Sequence, residues 1–97
     1  MSQSTQTHRL TATITGRVQG VSFRYYTCLE ARKLSLTGWV RNERDGSVTA
    51  VAEGPLTTLQ KLETFLHQGS PHAHVTHVQA SYTTSQNQFH TFETRYT

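Results

Sequence analysis

The sequence predicts an α+β sandwich, an antiparallel sheet carrying two helices on one face, in the order strand, helix, strand, strand, helix, strand. Three observations predict it. Residues 10–18 and 47–53 alternate apolar with polar or small side chains, the period-two mark of a half-buried strand. Residues 22–35 and the run from Pro55 to Gly69 instead repeat apolar side chains at helical spacing. Between two of the strand runs, Asp45-Gly46 is the turn chemistry of a tight hairpin.

Taken in order, Leu10, Ala12, Ile14 and Val18 alternate with Thr11, Thr13 and Thr15 to make the first strand. A helix follows from Ser22 to about Ser35, with Phe23, Thr27, Ala31 and Leu34 on one face, Glu30 and Lys33 outward, and Ser22 as N-cap. Leu36 to Arg41 is the second strand and Ser47 to Glu53 the third. Gly54-Pro55 opens the second helix, where the missing N–H of proline costs nothing. Leu59, Leu62, Phe65 and Leu66 form its apolar stripe, and Gly69 with Pro71 closes it. Val75, Val78, Ala80 and Tyr82 mark a fourth strand, and the aromatic segment Phe89 to Tyr96 is a last strand or an edge extension. This order is the split βαβ arrangement of a ferredoxin-like two-layer sandwich (βαββαβ), with the first and third strands side by side.

At 97 residues the chain is read as one domain over 1–97, with residues 1–8 a flexible tail. A chain of that length buries roughly 60–70% of its extended surface, enough for a two-layer core without staples. Cys28 is the only cysteine, which excludes an intramolecular disulfide, a thiolate metal cluster and a C-x-x-C redox motif. Met1 to His8 has no apolar core and no later run approaches membrane-spanning length, so a soluble, cytoplasmic chain without a membrane partner is expected. The net charge of +3, with seven arginines against two lysines, favours anionic partners without choosing among them.

The segment Gly16-Arg17-Val18-Gln19-Gly20-Val21-Ser22-Phe23-Arg24 joins the first strand to the first helix. Two glycines within five residues allow positive φ, and so a nest of N–H groups that suits phosphate. The helix that follows aims its positive end at the same point, and Arg24 adds a guanidinium fork. Taken alone, a glycine pair also serves merely to reverse the chain, and Arg24 could be an ordinary solvated helix residue. The topology brings the end of the second strand, and hence Asn42, to the same sheet edge.

With these residues in view the chain resembles the acylphosphatase family. The resemblance rests on the nine residues from Gly16 to Arg24 and on Gly38-Trp39-Val40-Arg41-Asn42 running into Asp45-Gly46-Ser47-Val48. It extends through Gly54-Pro55, Gly69 and Pro71 to the closing Phe92-Glu93-Thr94-Arg95-Tyr96, nearly the whole chain. The resemblance implies metal-independent hydrolysis of small-molecule acyl phosphates, without a cofactor. It implies that Arg24 binds the phosphate, that the backbone amides of Arg17, Val18, Gln19, Gly20, Val21 and Ser22 complete the cradle, and that Asn42 positions the attacking water. The chemistry agrees: a mixed anhydride has a good carboxylate leaving group, so charge and position are what the protein must supply. No residue is an obvious general base; Asp45 fits its turn, and Arg17 and Arg41 are either field-supplying or solvated.

His72 and His74 share a face of a regular strand while His77 points to the other, which disfavours a metal trio. Cys28 is a helix residue rather than a nucleophile, and Tyr25 and Tyr26 pack or line the rim of the site. An RNA-binding module shares the element order, but residues 47–53 offer no aromatic ring for stacking, so no nucleic-acid partner is expected. A noncatalytic phosphate-sensing domain of the same fold remains the alternative. Nothing in the sequence requires more than a monomer.

Overall fold

The structure, a computed structural model, describes residues 7–96. Strand β1 (Thr7–Arg17) leads to helix α1 (Phe23–Lys33), then β2 (Thr37–Asn42), β3 (Val48–Pro55), helix α2 (Leu56–Gln68), β4 (His74–Thr84) and β5 (Phe92–Arg95). The five strands form one sheet in the order β4-β1-β3-β2-β5. Helix α1 lies against β2 and β5, and α2 against β1, β4 and β3. The expected α+β two-layer sandwich is present, with β1 and β3 adjacent as the split βαβ order requires.

Alternation dictates the core. Leu10, Ala12 and Ile14 of β1, Val40 of β2, and Val48, Ala50 and Ala52 of β3 all point beneath the helices and are buried. Register sets Ala12 and Val40 on either side of Ala50, and Leu10 and Gly38 on either side of Ala52. Small side chains at the sheet centre leave room for Phe23, Ala31, Leu59, Leu62 and Leu66 to descend from above. Thr27 also goes inside, its hydroxyl donating to Phe23 O at 2.8 Å so that no polar group is orphaned.

Four details differ from the sequence reading. Thr7 and His8 do not belong to a tail: they pair with Pro55 and Gly54 and start β1; the rest of the expected tail lies outside the described residues. Pro55 closes β3 in extended conformation (φ −62°, ψ 144°), one position ahead of the helix it was expected to open. The short β5 runs parallel to β2, with Gly38 opposite Phe92 and Arg41 opposite Arg95, which makes the sheet mixed rather than antiparallel. Finally, β4 carries a bulge, since Thr15 faces His77 but Gly16 faces Val75, leaving Thr76 extra. The extra residue reverses the alternation, so His74 and His77 stand on the same exposed face, while His72 lies in the turn before β4.

The bulge also explains Gly16. Its φ is +123°, and a Cβ there would lie 2.2 Å from the His74 carbonyl oxygen. The first glycine of the motif therefore lets β1 pass β4 closely and is not itself part of the loop's curvature.

Candidate active site

Strand β1 stops at Arg17 and Val18 drops into the core, leaving Gln19 to Ser22 as the link to α1. Gly20 (φ +74°) and Ser22 (φ +63°) are both left-handed, one on each side of Val21. Among the described residues, the N–H groups of Gln19, Gly20, Val21 and Ser22 donate to no protein acceptor. Alternating backbone handedness with free amides is the geometry of an anion nest, extended by the unpaired N–H groups of the helix start. Ser22 occupies the N-cap position, as expected, but makes no side-chain capping bond. A capping hydroxyl needs an extended backbone at that residue, and the left-handed turn removes it.

The loop is braced from both sides. On one, Gln19 Nε2 donates to Glu43 O (2.8 Å) and Ser47 O (2.9 Å), tying the loop to the β2–β3 hairpin. On the other, the buried Ser70 Oγ donates to Val21 O (2.6 Å) from the α2–β4 connection. The sequence reading gave Gln19 only a backbone role; its side chain holds the loop at a fixed distance from the end of β2.

Asn42 is the last residue of β2 and lies opposite Val48, which on its other side pairs with Ile14 of β1. The ends of β1 and β2 thus share one sheet edge, as the topology predicted. Val18, Gly20, Ser22, Arg24 and Asn42 line a single cavity of about 450 Å³. Within it, Asn42 Oδ1 is buried and has no hydrogen-bond partner among the described residues. The Arg24 guanidinium, half-buried, stacks on the Tyr96 ring at 4.9 Å and forms no ion pair among the described residues. Free amides, a guanidinium without an acidic partner among the described residues and the Asn42 side chain thus meet at one hollow, an arrangement suited to an anion and a hydroxylic group.

The remaining predicted residues separate. Arg17 and Val21 line a second hollow with Tyr26, Pro71 and His72, which shares Gly20 and Ser22 with the first. Arg41 is outside the cavity: it pairs with Glu43 at 3.1 Å and stacks on Trp39 at 4.8 Å. The Glu43 carboxyl is held below its ordinary range by a hydrogen bond from Thr49 and by Arg41. Asp45 accepts from Ser47 N (2.9 Å) and Ser47 Oγ (2.6 Å), which lowers its pKa and fixes the turn, as expected. Among the described residues, neither carboxylate and no histidine lines the cavity. Among the described residues no three His, Cys, Asp or Glu side chains gather closely enough to hold a metal ion.

Tyr25, Cys28, Arg32, Thr94 and Tyr96 complete the wall. Arg32 and Thr94 were not foreseen. Arg24, Cys28 and Arg32 do recur every fourth residue of a helix, a signal present in the sequence. The contribution of β5 had none, because it depends on parallel pairing with β2.

Comparison with known proteins places this geometry in context. Residues 10–94 match the family model for Acylphosphatase. The acylphosphatase of Salinibacter ruber is 47% identical over 87 residues, covering 90% of this chain and 92% of that one. Among solved structures, the acylphosphatase from Bacillus subtilis has a TM-score of 0.89 at 39% identity, covering 92% of this chain and 99% of that chain. An acylphosphatase from Coxiella burnetii also gives 0.89, at 33% identity, covering 98% of this chain and all (100%) of that chain.

Proposed function

The chain belongs to the acylphosphatase family and is an acylphosphatase, hydrolysing the carboxyl–phosphate bond of acyl phosphates; from that premise we propose how its residues perform the reaction. The phosphoryl group sits on the amides of the Arg17–Ser22 loop, chiefly Gln19 to Ser22, with Arg24 bridging its oxygens. Asn42 orients the attacking water through Oδ1 and donates from its amide nitrogen to a phosphoryl oxygen. The observation that carries this reading is the shared cavity, lined by the loop, by Asn42 and by the Arg24 guanidinium, which has no acidic partner among the described residues.

Attack of the water on phosphorus breaks the bond to the bridging oxygen, and the acyl group departs as carboxylate. Charge spreads over the equatorial oxygens, where the nest and Arg24 stabilise it, without metal or cofactor. The leaving group is the anion of a strong enough acid to depart unprotonated, so the absence of an acid from the wall is no obstacle. The proton of the water passes to the phosphoryl group itself or to bulk solvent, since among the described residues no carboxylate or histidine lines the cavity.

The chain works as a single, monomeric domain in the cytoplasm on small-molecule substrates. The Trp39 ring carries the guanidinium groups of Arg41 (4.8 Å) and Arg95 (5.2 Å), with which a nucleic-acid base would have to compete.

The test is release of carboxylate from benzoyl phosphate in the presence of a chelator. Hydrolysis is expected to persist, and Arg24→Gln to lose turnover by about 10³–10⁵ together with phosphate binding. Phosphate binding by the parent chain without hydrolysis would instead indicate a sensing domain.

A further inference from the structure

Among the described residues, two guanidinium groups and no carboxylate line the cavity. Arg24 faces the loop. Arg32 stands two turns further along the same face of α1, and its Nε donates to Phe92 O at 3.0 Å. Among the described residues its terminal nitrogens have no acceptor and form no ion pair.

One small anion cannot serve both arginines. Phe92 pairs with Gly38, whereas Asn42 lies four residues further along β2, a separation of about 13 Å at ~3.3 Å per residue. The bond to Phe92 O therefore fixes Arg32 at the far end of a cavity whose near end takes the phosphoryl group. A volume of about 450 Å³ lies in the range of small-molecule sites and leaves room beyond the phosphate for an acyl chain. Tyr25 and Cys28 flank the path between the two cations.

We propose that Arg32 is a specificity residue, which selects acyl phosphates carrying a second anionic group at the distal end of the acyl chain. This rests on the phosphate placement given above. The second anion is a carboxylate or a phosphate monoester, either of which the planar guanidinium fork can take with its free nitrogens.

The experiment compares hexanoyl phosphate with adipoyl phosphate, which differ in ending with a methyl or a carboxylate, and with the analogue ending in a phosphate monoester. Each is hydrolysed by the parent chain, Arg32→Gln and Arg32→Lys. In the parent, kcat/KM is expected to favour the anionic chains by about tenfold, the lower end for a charge-assisted bond open to solvent, with the difference in KM. Arg32→Gln abolishes that preference and Arg32→Lys keeps part of it; the better of the two anionic termini names the second anion. A parent without the preference overturns the proposal. So does an Arg32→Gln chain that keeps it, or one that slows equally on all three substrates, which would make Arg32 only the pin of β5. Because the readout is a ratio, partial misfolding cancels. If the parent hydrolyses none of the three, the phosphate placement itself is wrong and the proposal falls with it.

Discussion

Replacing Asn42 with alanine should separate catalysis from folding. The Asn42 carbonyl oxygen is buried without a partner, and an unsatisfied buried acceptor costs about 1–3 kcal/mol. Alanine removes that cost along with the contacts of the amide group, so the net effect on stability should lie between zero and a gain of about 1 kcal/mol. For a domain of this size a gain of 1 kcal/mol raises Tm by about 4–8 °C. Turnover should move the other way. Loss of one positioned hydrogen-bonding group at a reacting centre typically lowers kcat by about 10²–10³, or ~2.7–4 kcal/mol of barrier. Arg24 and the loop amides are untouched, and the donation from the Asn42 amide to the phosphoryl oxygen is made only in the transition state, so inorganic phosphate should bind within about twofold of the parent. The assays are benzoyl phosphate hydrolysis at saturation, calorimetric phosphate binding and thermal unfolding. Near-normal kcat would remove Asn42 from water positioning. A parallel loss of phosphate affinity would make it a ground-state ligand, and a clear drop in Tm would mean that its oxygen has a structural partner.

Two further perturbations probe what holds the site. Gln19→Ala removes two hydrogen bonds to the hairpin, about 1–3 kcal/mol in total, with the low end expected because Glu43 O and Ser47 O each keep a backbone donor. Phosphate affinity and kcat should fall together, and Gln19→Glu should be worse because a carboxylate would face two carbonyl oxygens; an alanine variant with unchanged kinetics would show that the brace is dispensable. Glu53, 5% exposed, tests acid stability: burial pushes its pKa up, but the Gln86 and Gln88 amides and Arg9 outweigh it and hold the carboxyl below its ordinary 4.5. With the folded pKa depressed, this contribution is complete above pH 4.5 and is lost as pH falls through the folded value. Thermal unfolding followed downward from pH 6 or so should therefore show a shallower acid limb in Glu53→Gln, at lower overall stability; identical acid limbs would refute the role.

The sequence carried the antiparallel part of the fold because each clue was local. Alternation in residues 10–18 reported a strand whichever neighbour it met, and the stripe Leu59, Leu62, Leu66 reported a helix with one buried face. The β4 bulge left no such trace. Thr76 becomes extra only because Gly16 of another strand lets the backbone of His74 approach, and that reversal of alternation undid the inference that His74 and His77 point apart. The link from Ser85 to Thr91 carries no period of its own, and the contact that holds it is not local: Glu53 accepts the amides of Gln86 and Gln88 from 33 and 35 residues away in sequence. Within the candidate site, the amide nest and Arg24 belong to one short segment and were legible, whereas the Gln19 brace needed the hairpin to be folded first.

The direction of β5 is the feature of the site furthest from sequence. Four residues, Phe92 to Arg95, pair with β2 in parallel, so both strands end at the edge where β1 also ends. That places Thr94 beside Val40 and carries Tyr96 on to the Arg24 guanidinium, while Phe92, level with Gly38, meets Arg32. Had the same residues paired antiparallel in that position, Tyr96 would lie at the Gly38 end and the ring would be out of reach of Arg24. Burial of Phe92 alone does not decide between the two, since a strand of four residues can bury the same ring in either sense. The choice follows from β4, which ends at the edge remote from the site with Thr84 opposite His8, so that the segment from there to Phe92, held by the Glu53 carboxylate, reaches β2 at that same edge. Glu53 pins that crossing, and weakening its clamp should loosen the Tyr96 contact before it disturbs the amide nest, which Gln19 and Ser70 hold independently.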